Sequence, residues 1–249
     1  MRAQNRVKRA LTLRKIGDYA VYTRLGSGRY GVCFLAKSPQ GDWVVLKRFR
    51  RRIWKKNRRK NHYEAVILSS ASHPAIPEFL GVVNHLSKGY FFILEYKKGK
   101  TLEKLLFQKK KKFSDVEIYR IGSQLLEVME YLHNRGIVHR DISISNVLDT
   151  GKEISLIDYG LARYIKTEDG YTPYLDYFCF GNVLLYLLYS GYKETGKKKA
   201  WYHELPLAEP QKTYLMRLMG LAEPFQSTEE VRRLFIIKMF CTAHIKKVS

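Results

Sequence analysis

The apolar residues of this 249-residue chain change their period once, after Gly99. Before that point, short runs rich in β-branched and aromatic residues alternate with turn residues, the pattern of strands. Beyond it, apolar positions recur at the 3.6 spacing of helices. Residues 19–38 read as strand, glycine turn and strand. Residues 39–42 form a hairpin turn, WVVLKRF (Trp43–Phe49) a third strand, and residues 89–96 another. A helix over residues 55–72, with Tyr63, Val66 and Ile67 on one face, interrupts the strands, and HPAIPEFLGVV leaves it through two prolines. In the second part, residues 101–110 form a short helix. The capping box Ser114-Asp-Val-Glu117 opens a longer helix through Leu132. Further helices are expected at 175–189, at 209–221 and after a second capping box, Ser227-Thr-Glu-Glu230. Two short strands, at 147–148 and 154–157, precede them. A small β-rich part, to about Glu95, thus precedes a larger helical part.

Charge is unevenly spread. The chain holds 45 Lys and Arg against 23 Asp and Glu, a formal net charge of +22. Of these, 19 basic residues lie in the first 60 positions, opposed only by Asp18 and Asp42. The run RFRRRIWKKNRRK, from Arg48 to Lys60, and four lysines, Lys109 to Lys112, stand out. Such runs make contact with an anionic surface or serve as solvated basic faces, and charge alone names no partner. No apolar stretch reaches the ~18 residues of a transmembrane segment, and VLLYLLYSGY reads as a core helix. The N-terminus lacks the apolar core of a signal peptide. Cys33, Cys179 and Cys241 lie far apart without metal-site spacing, so a reducing, cytoplasmic location is expected.

Four stretches carry chemistry. HRDISISN (residues 139–146) sets Asp141 and Asn146 five positions apart on a tight loop: alone it reads as a polar turn joining a helix to a strand, or as one carboxylate to accept a proton and one amide oxygen to ligate a metal. GSGRYG (residues 26–31) matches a glycine-rich turn that continues as a strand, so it is not the strand–turn–helix of a dinucleotide fold. Glycine lets such a turn approach phosphates closely. In VVLK, alternation places Lys47 on the same strand face as Val45, where a lysine needs a partner or an anion; Glu64 on the following helix is a candidate. Finally, Asp158-Tyr-Gly160 ends the strand ISLI. With Asn146, Asp158 supplies the hard oxygen ligands that Mg²⁺ prefers, nucleotide phosphates completing the shell.

As a set, in this order and on these elements, GSGRYG, VVLK, Glu64, HRDISISN and DYG resemble the protein kinase superfamily, over about residues 19–189. The overall look resembles that of compact serine/threonine kinases of bacteria, Bacillus-type ones especially. The resemblance implies an α+β, bilobal protein kinase-like fold over residues 19–249, after a basic N-terminal extension at 1–18. Its N-lobe (about 19–95) would be small and β-rich with one helix, and its C-lobe (about 96–249) reduced and mainly α-helical. It implies an ATP- and Mg²⁺-dependent phosphotransferase, with Mn²⁺ as a substitute, acting on serine or threonine of a protein substrate, an acidic one included. In the catalytic set, Asp141 would be the base, Asn146 and Asp158 the metal ligands, and Lys47 with Glu64 would hold the phosphates. The nucleotide would contact Leu25, Gly26, Ser27, Gly28, Arg29, Tyr30, Gly31, Val32, Cys33 and Lys47, with Glu95 and Tyr96 as the hinge at adenine and Leu94 as gatekeeper. His139 and Leu68 would be core residues, and Asp176 would anchor the catalytic loop from below.

Three departures qualify that expectation. Ser143 stands where kinases of serine and threonine usually have a lysine that stabilises charge on the transferring phosphate. DYG replaces DFG. Only 18 residues separate Asp158 from Asp176, and no APE motif follows. Thr167, Tyr171, Thr172 and Tyr174 lie in that segment. Arg140, which would ordinarily pair with a phosphate, has Glu168 or Asp169 as stand-ins. Two alternatives keep the fold: a phosphotransferase of a small molecule or lipid, and a nucleotide-binding pseudokinase acting as an interaction module. A nucleic-acid binder using the basic run and Trp54 is a further reading.

Overall fold

The computed structural model describes residues 14–27, 31–49, 58–193, 196 and 199–239. It divides into two units, residues 1–65 with 78–96, and residues 66–77 with 97–249. Gly28, Arg29 and Tyr30 of the glycine turn, Trp54 and most of the basic run, and Cys241 lie outside the described residues.

The first unit is an antiparallel sheet of six strands in the order β1-β2-β3-β4-β6-β5. The strands are β1 (Arg14–Ile16), β2 (Tyr19–Ser27), β3 (Gly31–Lys37), β4 (Trp43–Phe49), β5 (Phe79–His85) and β6 (Gly89–Glu95). One face buries a cluster of Ile16, Ala36, Val44, Leu46, Phe91 and Ile93, each worth roughly 1.5–3 kcal/mol when a large aliphatic side chain is fully buried. Two features were not anticipated. Residues 14–16, assigned to a basic extension, form the edge strand β1 paired with Tyr19–Val21, because Ile16 completes the cluster. Strand β5 was hidden by the prolines before it and by apolar residues on both of its faces: Leu80 and Val82 are exposed, whereas Phe79 and Val83 are half-buried.

Helix α1 (Arg58–Ser70) follows β4. Its buried residues are Glu64, Ile67 and Leu68, whereas Tyr63 and Val66 are exposed. The expected face is therefore wrong except for Ile67; the helix is turned so that Glu64 meets Lys47 rather than water. The division between the units falls inside this helix, and residues 66–77 go with the helical unit. Hydrogen bonds explain why: the Ser72 N–H donates to the Tyr131 hydroxyl at 2.7 Å, the Leu156 N–H to the Ala75 carbonyl at 2.9 Å, and the Lys97 amine to the Pro74 carbonyl at 2.8 Å.

The second unit is built on α2 (Asp115–His133), α3 (Tyr174–Tyr189), α4 (Trp201–Glu204), α5 (Glu209–Leu218) and α6 (Thr228–Leu234), the last continuing as a π turn at Phe235–Met239. Ser114 opens α2 with the expected reciprocal capping box. At α6, Ser227 caps the helix, but Glu230 turns to the Gln226 N–H and to Arg217 instead of closing a second box. Residues 101–110 hold the short helix expected, over 102–108, most of it in π rather than α geometry. They run from β7 (Lys100–Thr101) into a π turn at Lys104–Gln108. Helices α2, α3, α5 and α6 share an apolar core that includes Leu125, Met129, Phe180, Leu184, Tyr214 and Phe235. Gly122 on α2 makes room for the Phe235 ring: a Cβ there would lie 2.3 Å from it.

Two small sheets fix the loops. Strands β10 (Ile154–Leu156), β9 (Val147–Asp149) and β7 form one, and β11 (Arg163–Tyr164) pairs β8 (Ile137–Val138) in the other. No helix among the described residues is long and apolar enough to cross a membrane.

Candidate active site

Lys47 sits in the middle of β4, opposite Cys33 on β3 and Phe92 on β6. It is 4% exposed, and its Nζ lies 2.5 Å from Glu64 Oε1, itself 1% exposed. Phe49 and Phe92, in edge-to-face contact at 4.6 Å, shield the ammonium, which lies 5.8 Å from the Phe49 ring. A charge pair taken this far from water is costly to break, since the survivor is left buried and uncompensated.

Strand β2 ends at Ser27 and β3 starts at Gly31, with Gly26 opposite Cys33 and Ser27 opposite Val32. The two flanking glycines differ. A Cβ on Gly31 would lie 2.2 Å from the Arg48 carbonyl oxygen, so the neighbouring strand itself demands glycine there. Among the described residues, Gly26 has nothing within 4 Å of such a Cβ. Leu25 is exposed and Cys33 half-buried. At the other end of the sheet, the Glu95 N–H donates to the Glu78 carbonyl at 2.9 Å. Leu94 is buried, and Glu95 and Tyr96 are half-buried.

In the second unit the loop after β8 holds Asp141 and Asn146. The Asn146 side-chain amide donates to both Asp141 Oδ2 and the Asp141 carbonyl, each at 2.9 Å, so its oxygen is the atom left to face a metal. Asp158, twelve residues on, comes next to Asn146 because the β9–β10 hairpin pairs Val147 with Leu156 and the Ile157 N–H donates to the Asn146 carbonyl at 2.8 Å. Asp158 is exposed and left-handed, at φ 65°, a conformation that costs a non-glycine residue energy and clusters at functional sites. Among the described residues no three His, Cys, Asp or Glu converge as a metal cage. One carboxylate and one amide oxygen fit a Mg²⁺ that keeps waters and takes phosphate oxygens, rather than a metal bound wholly by protein.

The loop hangs from Asp176 at the start of α3. This carboxylate is fully buried and accepts the His139 N–H at 2.8 Å and the Arg140 N–H at 2.6 Å. His133, at the end of α2, lies 2.9 Å from the same Oδ2, while its other ring nitrogen is 2.7 Å from the Thr228 hydroxyl on α6. Sequence reading found Asp176 but not His133 or Thr228. The histidine sits six residues before HRD, yet nothing local marks it as a partner of α3.

His139 is fully buried against Tyr159 at 4.6 Å. Burial, reinforced by the charge of Asp176, drives the Tyr159 phenol well above its ordinary pKa of 10. Cys179, one turn past Asp176, has its thiol pushed up to about 12, by burial first and then by Asp176 and Asp141. It is not a nucleophile at neutral pH.

Arg140 also differs from expectation. Neither Glu168 nor Asp169 meets it in an ion pair among the described residues. Its guanidinium lies 4.3 Å from the Tyr171 ring and donates to the Leu161 carbonyl at 3.4 Å. The Lys166–Tyr171 bridge around a 3-10 turn at Thr167–Asp169 carries Tyr171 there. At the departure from the family pattern, the Ser143 and Ser145 hydroxyls lie 2.9 Å apart.

Comparison with known proteins agrees with this geometry. The family described as protein kinase domain matches residues 19–204. The chain is 35% identical over 229 residues to "Probable serine/threonine-protein kinase YbdM" of Bacillus subtilis (strain 168), covering 86% of this chain and 87% of that one. It is 30% identical over 159 residues to the human serine/threonine-protein kinase MAK, covering 63% of this chain. It is 28% identical over 158 residues to cyclin-dependent kinase F-4 of Oryza sativa subsp. japonica. The match spans only 25% and 34% of these two longer proteins.

Proposed function

Because this chain belongs to the protein kinase family, whose members use ATP and a divalent metal, we propose that it transfers the γ-phosphate of ATP, with Mg²⁺, to serine or threonine hydroxyls of a protein substrate. The observation that carries this reading is the intact catalytic loop: Asp141 steadied by the Asn146 amide, with its backbone hung from the buried Asp176. In this reading Asp141 orients the acceptor hydroxyl and takes its proton as the new O–P bond forms and the bond to the leaving diphosphate breaks. Asn146 and Asp158 would hold the metal, which would neutralise charge on the phosphates. Lys47, fixed by Glu64, binds the α- and β-phosphates. The turn from Gly26 to Gly31 covers the nucleotide, and Glu95 with Tyr96 contacts adenine. Catalysis is then mainly positioning and field. The domain, so defined, takes in β1 from Arg14.

The Arg140–Tyr171 stack supports activity without phosphorylation of the short segment, since the arginine already has a partner. The Ser143–Ser145 pair favours a second reading, a small-molecule acceptor: position 143 presents a hydroxyl paired with Ser145 in place of the family's cation. Incubation with γ-labelled ATP and Mg²⁺ or Mn²⁺, with basic and acidic protein acceptors, separates the two. Phosphoserine or phosphothreonine on protein, lost in Asp141→Asn, is expected. Transfer only to a small molecule, or none with any divalent ion, refutes the protein-kinase reading.

A further inference from the structure

The lysine run absorbed by no part of the catalytic reading borders a groove of about 440 Å³. Its floor is apolar and aromatic: Leu106 and Phe107 from the π turn, Tyr186 and Tyr189 from the end of α3. Phe107 and Tyr186 meet edge to face at 6.2 Å, yet Phe107 remains 62% exposed. A ring this open beside a second aromatic is an anchor site without a guest. Lys110 and Lys112 stand on its rim.

The rim charge is unanswered. Lys111 is paired with Glu117 at 2.7 Å, but Lys109, Lys110 and Lys112 have no carboxylate within 4 Å among the described residues. Lys110 also holds a left-handed conformation, φ 51°, just past the π turn. Glycine is the residue that takes this position without strain, so the chain keeps a charge there at a conformational cost.

The groove segment is rigidly tied. At its start the Glu103 N–H donates to the Ile144 carbonyl of the catalytic loop at 2.8 Å. At its end the Phe113 N–H donates to the Ser190 hydroxyl of α3 at 2.9 Å. Whatever docks here is fixed relative to the loop that carries Asp141.

We propose that the groove between the π turn and α3 docks an acidic peptide segment of the substrate, with one apolar side chain between Phe107 and Tyr186 and its carboxylates on Lys110 and Lys112. The floor accepts a side chain of one or two rings, and Lys110 and Lys112 on the rim complement negative charge, while the Glu204 carboxylate is taken by the Tyr189 hydroxyl. A recessed apolar floor suits a peptide anchor better than a flat lipid surface. Two rings at right angles do not form a platform for stacked bases. Calling the peptide a substrate segment rests on the protein-kinase reading; the docking itself does not.

The test is fluorescence polarisation without ATP, using a labelled peptide of Asp and Glu around a central Leu-Phe pair, free of hydroxyl residues. Lys110→Glu with Lys112→Glu is expected to weaken binding roughly tenfold or more, and Phe107→Ala several-fold. A matched reversal at the exposed Lys15 and Lys152 should change it little. Lys110→Gly, which relieves the backbone, should stay folded by thermal denaturation and still bind more weakly. Asp141→Asn should bind as the parent does. Equal losses from both double reversals, or none from Phe107→Ala, would reduce the effect to net charge and overturn the proposal. So would tighter, Lys110- and Lys112-dependent binding of a labelled oligonucleotide or of phosphatidylserine vesicles. If phosphate transfer is absent while these binding losses appear, the docking groove stands and the kinase reading falls; the opposite result separates them the other way.

Discussion

Tyr159 occupies the place of the family's phenylalanine, and replacing it by phenylalanine should stabilise the protein. Its side chain is fully buried, and its hydroxyl has no hydrogen-bond partner among the described residues. A buried hydroxyl left unsatisfied costs about 1–3 kcal/mol. Removing it leaves a void of about one oxygen atom, about 10 Å³, which returns only ~0.3 kcal/mol of that gain at the usual cost of cavity volume. The ring keeps its edge contact with His139. The net expectation for Tyr159→Phe is a gain of about 1–2 kcal/mol, or a rise in Tm of roughly 2–4 °C per kcal/mol for a chain of this length. Urea titration at pH 7 measures it directly, provided the slope is unchanged. A loss of about 1 kcal/mol or more would refute the reasoning, because it would mean that the hydroxyl is satisfied in the folded protein. The same residue sets an alkaline limit. Its folded pKa lies well above the unfolded value of about 10, so the phenol's contribution is complete below pH 10 and is lost as pH rises beyond it. Tyr177 and Tyr214 shift the same way through burial. Stability should therefore fall above pH 10, and less steeply in Tyr159→Phe.

Breaking the buried pair with Lys47→Met should abolish phosphate transfer and destabilise the fold by up to ~3–5 kcal/mol; adding Glu64→Leu should recover much of the stability, read by urea midpoint, but none of the transfer. Asp158→Ala should remove the Mg²⁺-dependent part of the thermal shift produced by ATP while leaving a nucleotide-dependent part, as differential scanning fluorimetry will show. Replacing Thr167 and Thr172 together by alanine should change turnover less than about threefold, under ~0.7 kcal/mol of barrier; a hundredfold loss in the labelled-ATP assay would restore a phosphorylation switch to this segment.

The family and its chemistry were legible because phosphoryl transfer needs particular groups at short, local spacings. Asp141 and Asn146 lie on one loop, and the capping box at Ser114 is closed by a residue three positions on. Period 2 and period 3.6 separated the sheet from the helices. What the sequence could not reveal depends on residues distant along the chain. The pairing of Glu64 with Lys47 was legible, but helix α1 has a weak apolar face, and only its packing shows that burying Glu64 turns Tyr63 and Val66 outward. Strand β1 became part of the sheet because Ile16 fills a cluster drawn from three other strands. Tyr171, not an acidic neighbour, reached Arg140 because a bridge over the 3-10 turn carries it there. His133 and Thr228 joined the support of the catalytic loop only when α2, α3 and α6 packed together. Local chemistry is written in adjacent letters. Burial and side-chain partnership belong to the packed chain, where residues far apart in sequence compete for the same few hydrogen-bonding and apolar sites.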